Sequence, residues 1–309
     1  MNLEPSTQKN LYGHKLTFKT LTHLYVNDKL PSKILLSGEK GIGKCTLAYH
    51  LINFVLSKDE EYSYDYKNCE INFENKSFKL IQNNSNPNFN LIDVAKDKKN
   101  IDIAQIRELI INLNKSSFNL KKRFVLIDNI ELLNTNSVNA LLKVLEEPNE
   151  NINFILINNN KKVISTLLSR CVNFKVFLTY DASIEVINKI LSENIYDLVN
   201  SELIDNYSTP GHLFKLLNFS KDYKIDLINL NLRDFLTIVI NDKIYKKESY
   251  ISQFIYSFIE LYFRDNISMN NINLLNLYTY FIKKIRDTKI YNLDEESIFM
   301  EFENKVLNG

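Results

Sequence analysis

The stretch Gly38-Glu39-Lys40-Gly41-Ile42-Gly43-Lys44 constrains the fold of this chain more than any other. It follows the apolar run Lys33–Ser37 (KILLS), which reads as a buried strand. It opens an amphipathic segment, Lys44–Leu56, in which Leu47, Ala48, Leu51 and Val55 share a helical face. A glycine-rich turn between a strand and a helix is the setting of a phosphate loop. The glycines let backbone N–H groups turn toward phosphate oxygens, and the helix N-terminus adds a favourable dipole. Lys44 supplies a point charge for the outer phosphates. The alternative is a glycine turn with no ligand.

The segments around the loop predict an α/β layout with a parallel sheet. Further strands are expected over residues 90–95, 123–128 (RFVLID), 152–158 and 172–177. The run 123–128 is almost wholly apolar and ends in an acid, as a strand buried on both faces does. Helices are expected over residues 102–113, 136–147 and 163–170. Ile103, Ile106, Leu109, Ile110 and Leu113 line one face of the first, with Asp102 as its N-cap or first-turn acid. Pro148 stops the second. Residues 62–86 look like a polar, irregular insertion.

After Leu178 the strand pattern disappears. The expected division is an α/β module over residues 1–178, a small helical lid over 179–220 with a break at Pro210-Gly211, and an all-α domain over 221–309. Ile251, Phe254, Ile255, Phe258, Ile259 and Tyr262 trace one apolar stripe in the last part, broad enough to serve both a core and a partner.

Charge and cysteine usage narrow the function. With 38 basic and 37 acidic residues the net charge is +1, so the chain lacks the basic excess of a protein that grips DNA alone. Three scattered cysteines, Cys45, Cys69 and Cys171, make neither a disulfide framework nor a four-cysteine zinc site, and fit a reducing cytoplasm. Residues 1–10 hold no apolar signal region, and no run of about 18 uncharged apolar residues follows. The expectation is a cytoplasmic protein that is neither secreted nor membrane-bound. Lys96, Lys98 and Lys99 read as a solvated loop, and Lys121, Lys122 and Arg123 as residues flanking a strand. His14, His23 and His50 are expected in structural roles.

The phosphate loop carries a defect. A Walker A loop ends in Ser or Thr, whose hydroxyl binds magnesium; here the residue is Cys45. A thiol is soft and magnesium prefers hard oxygen. Thr46 sits about 100° further round the helix and cannot easily replace it. Asp128 ends a Walker B strand, yet the next residue, where an active site carries a water-orienting Glu, is Asn129, which cannot act as a base. Glu131 lies close but at the wrong offset. The residues leave open whether ATP, ADP or phosphate still binds weakly through Lys44 and the loop backbone.

Four further motifs give a resemblance. Asn139-Ala140-Leu141-Leu142-Lys143-Val144-Leu145-Glu146-Glu147-Pro148, Ser169-Arg170-Cys171, Leu11-Tyr12-Gly13-His14 and Ser208-Thr209-Pro210-Gly211-His212 follow in order. The chain thereby resembles the clamp-loader subunits of the AAA+ ATPase family, well over residues 9–220 and beyond that only as a helical pattern. The resemblance implies an AAA+ P-loop module with a parallel sheet, then a lid and a helical collar that joins a ring. It places Gly38, Gly41, Gly43, Lys44, Cys45, Thr46 and Asp128 in the nucleotide site, Tyr12 at the adenine pocket and His212 at the sensor-2 position, where active subunits carry arginine. Asn158 or Asn159 falls at sensor 1. Arg170 matches the trans arginine finger, which reaches a neighbouring subunit's site.

Cys45, Asn129 and His212 together resemble the delta-prime type of subunit rather than the hydrolysing gamma or tau type. That implies gamma/tau and delta subunits, a sliding clamp and primer-template DNA as partners. It implies no required cofactor, no bound metal, and no zinc, since only Cys69 lies where the family's zinc module would. The alternatives are an active gamma/tau-like or replication-factor-C-like ATPase, another AAA+ protein such as a recombination helicase subunit, and a nucleotide-free scaffold without a finger.

Overall fold

The computed structural model describes residues 3–95, 98–115, 121–146, 151–247, 249–266 and 272–308. Lys96, Glu147 and Pro148 lie outside the described residues. Five parallel strands form one sheet: β1 (Lys33–Ser37), β2 (Phe89–Ile92), β3 (Arg123–Ile127), β4 (Ile152–Asn158) and β5 (Val172–Lys175), in the order β2-β3-β4-β1-β5. Every residue of β3 and β4 is buried, which explains their near-continuous apolar sequences.

Alternation along the strands splits the core into two layers. Ile34, Leu36, Phe124, Leu126, Ile155 and Ile157 face one, while Leu35, Val125, Ile127, Phe154 and Leu156 face the other. Each such side chain contributes about 1.5–3 kcal/mol on burial. The first layer is covered by α1 (Lys15–Val26), α2 (Lys44–Leu56) and α3 (Lys76–Gln82); the second by α4 (Ile103–Leu113), α5 (Thr135–Glu146) and α6 (Ser165–Leu168). Leu47, Ala48, Leu51 and Val55 of α2 are buried, as their spacing predicts, as are Leu141 and Leu145 of α5.

Residues 62–86 are more structured than their composition predicts. Tyr64, Cys69, Ile71, Phe78 and Ile81 are core residues of the first layer. Asn75 starts α3 by accepting a hydrogen bond from the Phe78 N–H at 2.7 Å, and its amide donates to Tyr62 O at 2.7 Å. Asp102 is an N-cap as expected, in a capping box with Gln105. Arg123 does more than flank a strand. It is buried and donates to Asn112 O at 2.7 Å, Leu113 O at 2.9 Å and Lys115 O at 3.3 Å, closing the C-terminal end of α4.

The remaining elements are helical: α7 (Tyr180–Leu191), α8 (Pro210–Tyr223), α9 (Leu232–Asn241), α10 (Ser249–Asn266), α11 (Ile272–Tyr291) and α12 (Glu295–Phe302). Pro210 and Gly211 do not break a helix; they start α8, where the missing proline N–H has no partner to lose. Strand β2 stops at Ile92, β5 at Lys175, and α6 is shorter than expected. Compactness divides the chain into Met1–Ile190 with Thr209–His212, and Leu191–Ser208 with Leu213–Gly309. In the second unit Ile251, Phe254, Ile255, Phe258 and Ile259 are buried within the unit itself, so the stripe along α10 is chiefly core and only Tyr262 of the six is half-buried. Among the described residues no helix is long and apolar enough to cross a membrane.

Candidate functional site

Strand order builds the site. Ligands of parallel α/β sheets bind at the carboxyl ends of the strands. Because β3, β4 and β1 are neighbours, that edge brings together the loop after β1, Asp128 after β3 and Asn159 after β4. The loop begins at Gly38, where a Cβ would stand 2.0 Å from Val176 O, so the passage beside the end of β5 admits only glycine. It ends at Gly43, the N-cap of α2, with φ 93°.

Lys44 is turned into the protein. It is 3% exposed. Its ammonium donates to Gly38 O at 2.9 Å, Glu39 O at 2.5 Å and Asn159 Oδ1 at 3.0 Å. An ammonium has three N–H groups, and here each has an acceptor inside the chain. Burial pulls its pKa down to about 8, with nearby Asp128 and Glu131 opposing.

Asn159 is the hub of the site. Besides accepting from Lys44, its amide donates to Asn129 Oδ1 at 2.9 Å and Glu131 Oε1 at 2.8 Å, and its backbone N–H to Glu131 Oε2 at 3.4 Å. Asn158 is the alternative for this place in the sequence. Its side chain instead closes a turn, donating to Lys161 O at 3.0 Å and accepting from Lys161 N at 3.1 Å. Asn129 adopts the left-handed conformation, φ 54° and ψ 49°, and its amide reaches Asp93 Oδ1 at 2.8 Å. That bend and the following turn, Ile130–Leu132, carry Glu131 back to Asn159. Glu131 thus enters the site despite its offset, as a partner of Asn159.

Asp128, Glu131 and Glu39 act on the Lys44 ammonium, and Asp93 lies close enough to Asp128 to act on its carboxyl. Burial and then Asp93 raise the Asp128 pKa, while the Asn129 N–H, which donates to its carboxylate at 2.8 Å, and the nearby Cys45 thiol oppose this. Burial and Asp128 hold the half-buried Cys45 thiol well above the ordinary range. A thiol is a soft group, whereas a hard cation such as magnesium prefers oxygen ligands. Thr46, one residue on, is half-buried on α2.

The start of α8 lies on the phosphate loop. The Thr209 hydroxyl donates to Lys40 O at 3.0 Å, and Gly211 N–H donates to Gly41 O at 2.9 Å. The two glycines touch through their backbones: a Cβ on Gly211 would meet Gly41 Cα at 2.7 Å. His212 is half-buried, and its N–H donates to Thr209 Oγ1 at 3.3 Å. On the other side His14 is buried and its Nε2 lies 2.5 Å from Ile42 O; burial lowers its pKa, so the neutral ring donates there. Tyr12 is half-buried two residues earlier.

Arg170 stands apart from these groups, at the end of α6. Its guanidinium donates to Thr166 O at 2.7 Å through Nη1 and pairs through Nη2 with the Glu146 carboxylate. Ser169 Oγ donates to Thr166 O at 3.0 Å, and Cys171 packs half-buried on the second core layer. Asp93 and the capping role of Arg123 have no local sequence signal, and Glu146 lies in a quoted motif that does not show its pairing with Arg170.

A sheet of this order, with a phosphate loop after β1, an acid after β3 and a polar side chain after β4, followed by helices, is an AAA+ P-loop fold. The chain belongs to the family described as DNA polymerase III, delta subunit, a family of clamp-loader subunits, which matches residues 13–177, more than half its length. It is 28% identical over 235 residues to DNA polymerase III subunit gamma of Buchnera aphidicola subsp. Schizaphis graminum, covering 74% of this chain and 62% of that protein. It is 28% identical over 294 residues to subunit gamma/tau of Mycoplasma genitalium, covering 91% and 46%. The delta' subunit of the same Buchnera is 24% identical over 280 residues, covering 86% and 82%. The chain therefore spans about half to two thirds of the gamma-type relatives and most of the delta'-type one.

Proposed function

We propose that this chain is a delta-prime-type subunit of a DNA polymerase III clamp loader, acting in the cytoplasm without hydrolysing ATP itself. In this reading it completes a ring with gamma/tau and delta subunits. The ring uses ATP to place a sliding clamp on primer-template DNA. The helices after residue 221 serve as the collar, and the start of α8 belongs to the lid. The observation that carries the reading is the pair Cys45 and Asn129: a soft thiol stands where the loop would carry a magnesium-binding hydroxyl, and an amide, held in a left-handed turn, stands where a water-orienting acid would follow Asp128. Arg170 then serves a neighbour's site, where an always-charged planar guanidinium can neutralise charge developing on the transferred phosphoryl group.

The likeness to gamma and gamma/tau subunits favours a second reading, an active ATPase. The purified chain separates the two. Background ATP turnover is expected for the first reading, and turnover abolished by Lys44→Ala for the second. For the finger, Arg170→Ala should assemble normally with gamma and delta. It should lower DNA-stimulated ATPase and clamp loading, because an arginine finger is worth about 10³–10⁵ at the site it serves. Wild-type rates with Arg170→Ala would leave a scaffold without a finger.

A further inference from the structure

We propose that Glu146 is a positioning residue for Arg170, holding the guanidinium in the pose in which it meets the neighbouring site. This inference rests on the finger assignment above and adds to it a residue that the sequence motifs do not single out for this task.

The geometry is a two-point hold. Glu146 is the last residue of α5, and Arg170 follows α6. One arm of the guanidinium donates to the Thr166 carbonyl at 2.7 Å, a backbone acceptor on α6 itself. The other pairs with the Glu146 carboxylate, delivered by a different helix. One acceptor alone would leave the planar fork free to swing about its long stem. Two acceptors on separate elements fix its orientation. The side chains remain 32% and 54% exposed, so the pair is held at the surface where a partner can reach it. Ile164, Leu168 and Val172, the apolar side chains on either side of Arg170, are also 46%, 38% and 49% exposed.

An ion pair this exposed contributes little to folding stability. Its physical effect is to remove rotamer freedom from an arginine before that arginine is used. A long side chain that is already ordered loses less on engaging its target, and the saving per immobilised side chain corresponds to roughly two- to ten-fold in rate. Glu146 also sits on the helix that follows Asp128, Asn129 and Glu131, so α5 links this chain's own degenerate site to the finger it offers outward.

The test is steady-state DNA-stimulated ATPase of the reconstituted complex of this chain with gamma and delta subunits, sliding clamp and primed DNA, normalised to complex isolated by size exclusion. Glu146→Ala is expected to lower kcat roughly two- to ten-fold, to leave the KM for ATP near wild type, and to fall short of the loss caused by Arg170→Ala. Glu146→Gln, which keeps an acceptor oxygen, should recover part of the rate. In the Arg170→Ala background, Glu146→Ala should add no further loss. A rate unchanged or raised by Glu146→Ala, while Arg170→Ala still lowers it, would overturn the positioning role and leave the finger intact. An equal loss from Glu146→Ala in both backgrounds would also overturn it, since the effect would not run through Arg170. No loss from Arg170→Ala would remove the finger and this proposal together.

Discussion

Replacing Gly211 by alanine tests the contact between the start of α8 and the phosphate loop, because two effects of opposite sign compete there. In a helix, alanine is better than glycine by up to about 1 kcal/mol, and Gly211 has an ordinary negative-φ backbone that alanine can adopt. On a free helix end Gly211→Ala would therefore stabilise the protein. Here the new methyl would lie 2.7 Å from Gly41 Cα and 3.0 Å from Gly41 O, both backbone atoms that cannot swing aside. The helix start must lift, and the bonds from Gly211 N to Gly41 O and from Thr209 Oγ1 to Lys40 O go with it. At about 1 kcal/mol each, their loss exceeds the helical gain, and the net effect is a destabilisation of about 1 kcal/mol or more. Urea denaturation at fixed pH reads the sign, and amide hydrogen exchange at residues 41–44 reads the site, where exchange should quicken. A chain that unfolds at higher urea, with loop exchange unchanged, would refute the contact.

Two further predictions concern stability. Arg123→Met keeps an apolar stem but strips the end of α4 of its three donated bonds. It should cost on the order of 3 kcal/mol, read as a lower midpoint in chemical denaturation; a loss within a few tenths would mean that the cap is idle. His50 is fully buried, and burial pushes its pKa down from 6.5 to about 4. The unfolded chain therefore takes up a proton first as pH falls below 6.5, and stability drains away between there and about pH 4, by about 3 kcal/mol in all. His50→Phe should remove that share of the pH dependence; an unchanged slope from pH 6.5 to 4 would show that His50 titrates normally.

The sheet was legible because β1, β3 and β4 are buried on both faces, which writes an uninterrupted apolar run into the sequence. The phosphate loop was legible because its glycines and Lys44 must be contiguous. What escaped were features carried by pairs distant in the chain. Thr209 and Lys40 are 169 residues apart, Asn159 and Glu131 28, and Arg170 and Glu146 24. The insertion around Tyr64 and Cys69 misled for another reason. Its apolar residues are spaced irregularly: Phe78 and Ile81 belong to α3, while Tyr64, Cys69 and Ile71 enter the core from irregular chain. Local spacing did place Asp102 as a cap, because a capping box closes within four residues. It misplaced Pro210 as a break, because a helix start and a helix stop both favour proline, and only the contacts of Thr209 and Gly211 decide between them.

The backbone at Asn129 has a consequence for the substitutions open to this site. Its left-handed conformation, φ 54°, is one that asparagine tolerates and that costs other non-glycine residues about 1 kcal/mol or more. Its side chain is also bonded in two directions, donating to Asp93 and accepting from Asn159. A glutamate placed at position 129 would have to strain the turn or unfold it. It would bring a fourth carboxyl toward Asp93, Asp128 and Glu131, and it would leave Asp93 without its donor. An acid here therefore asks for several coordinated changes, each unfavourable alone. The geometry acts as a lock: a turn built around an amide does not take a single exchange to glutamate.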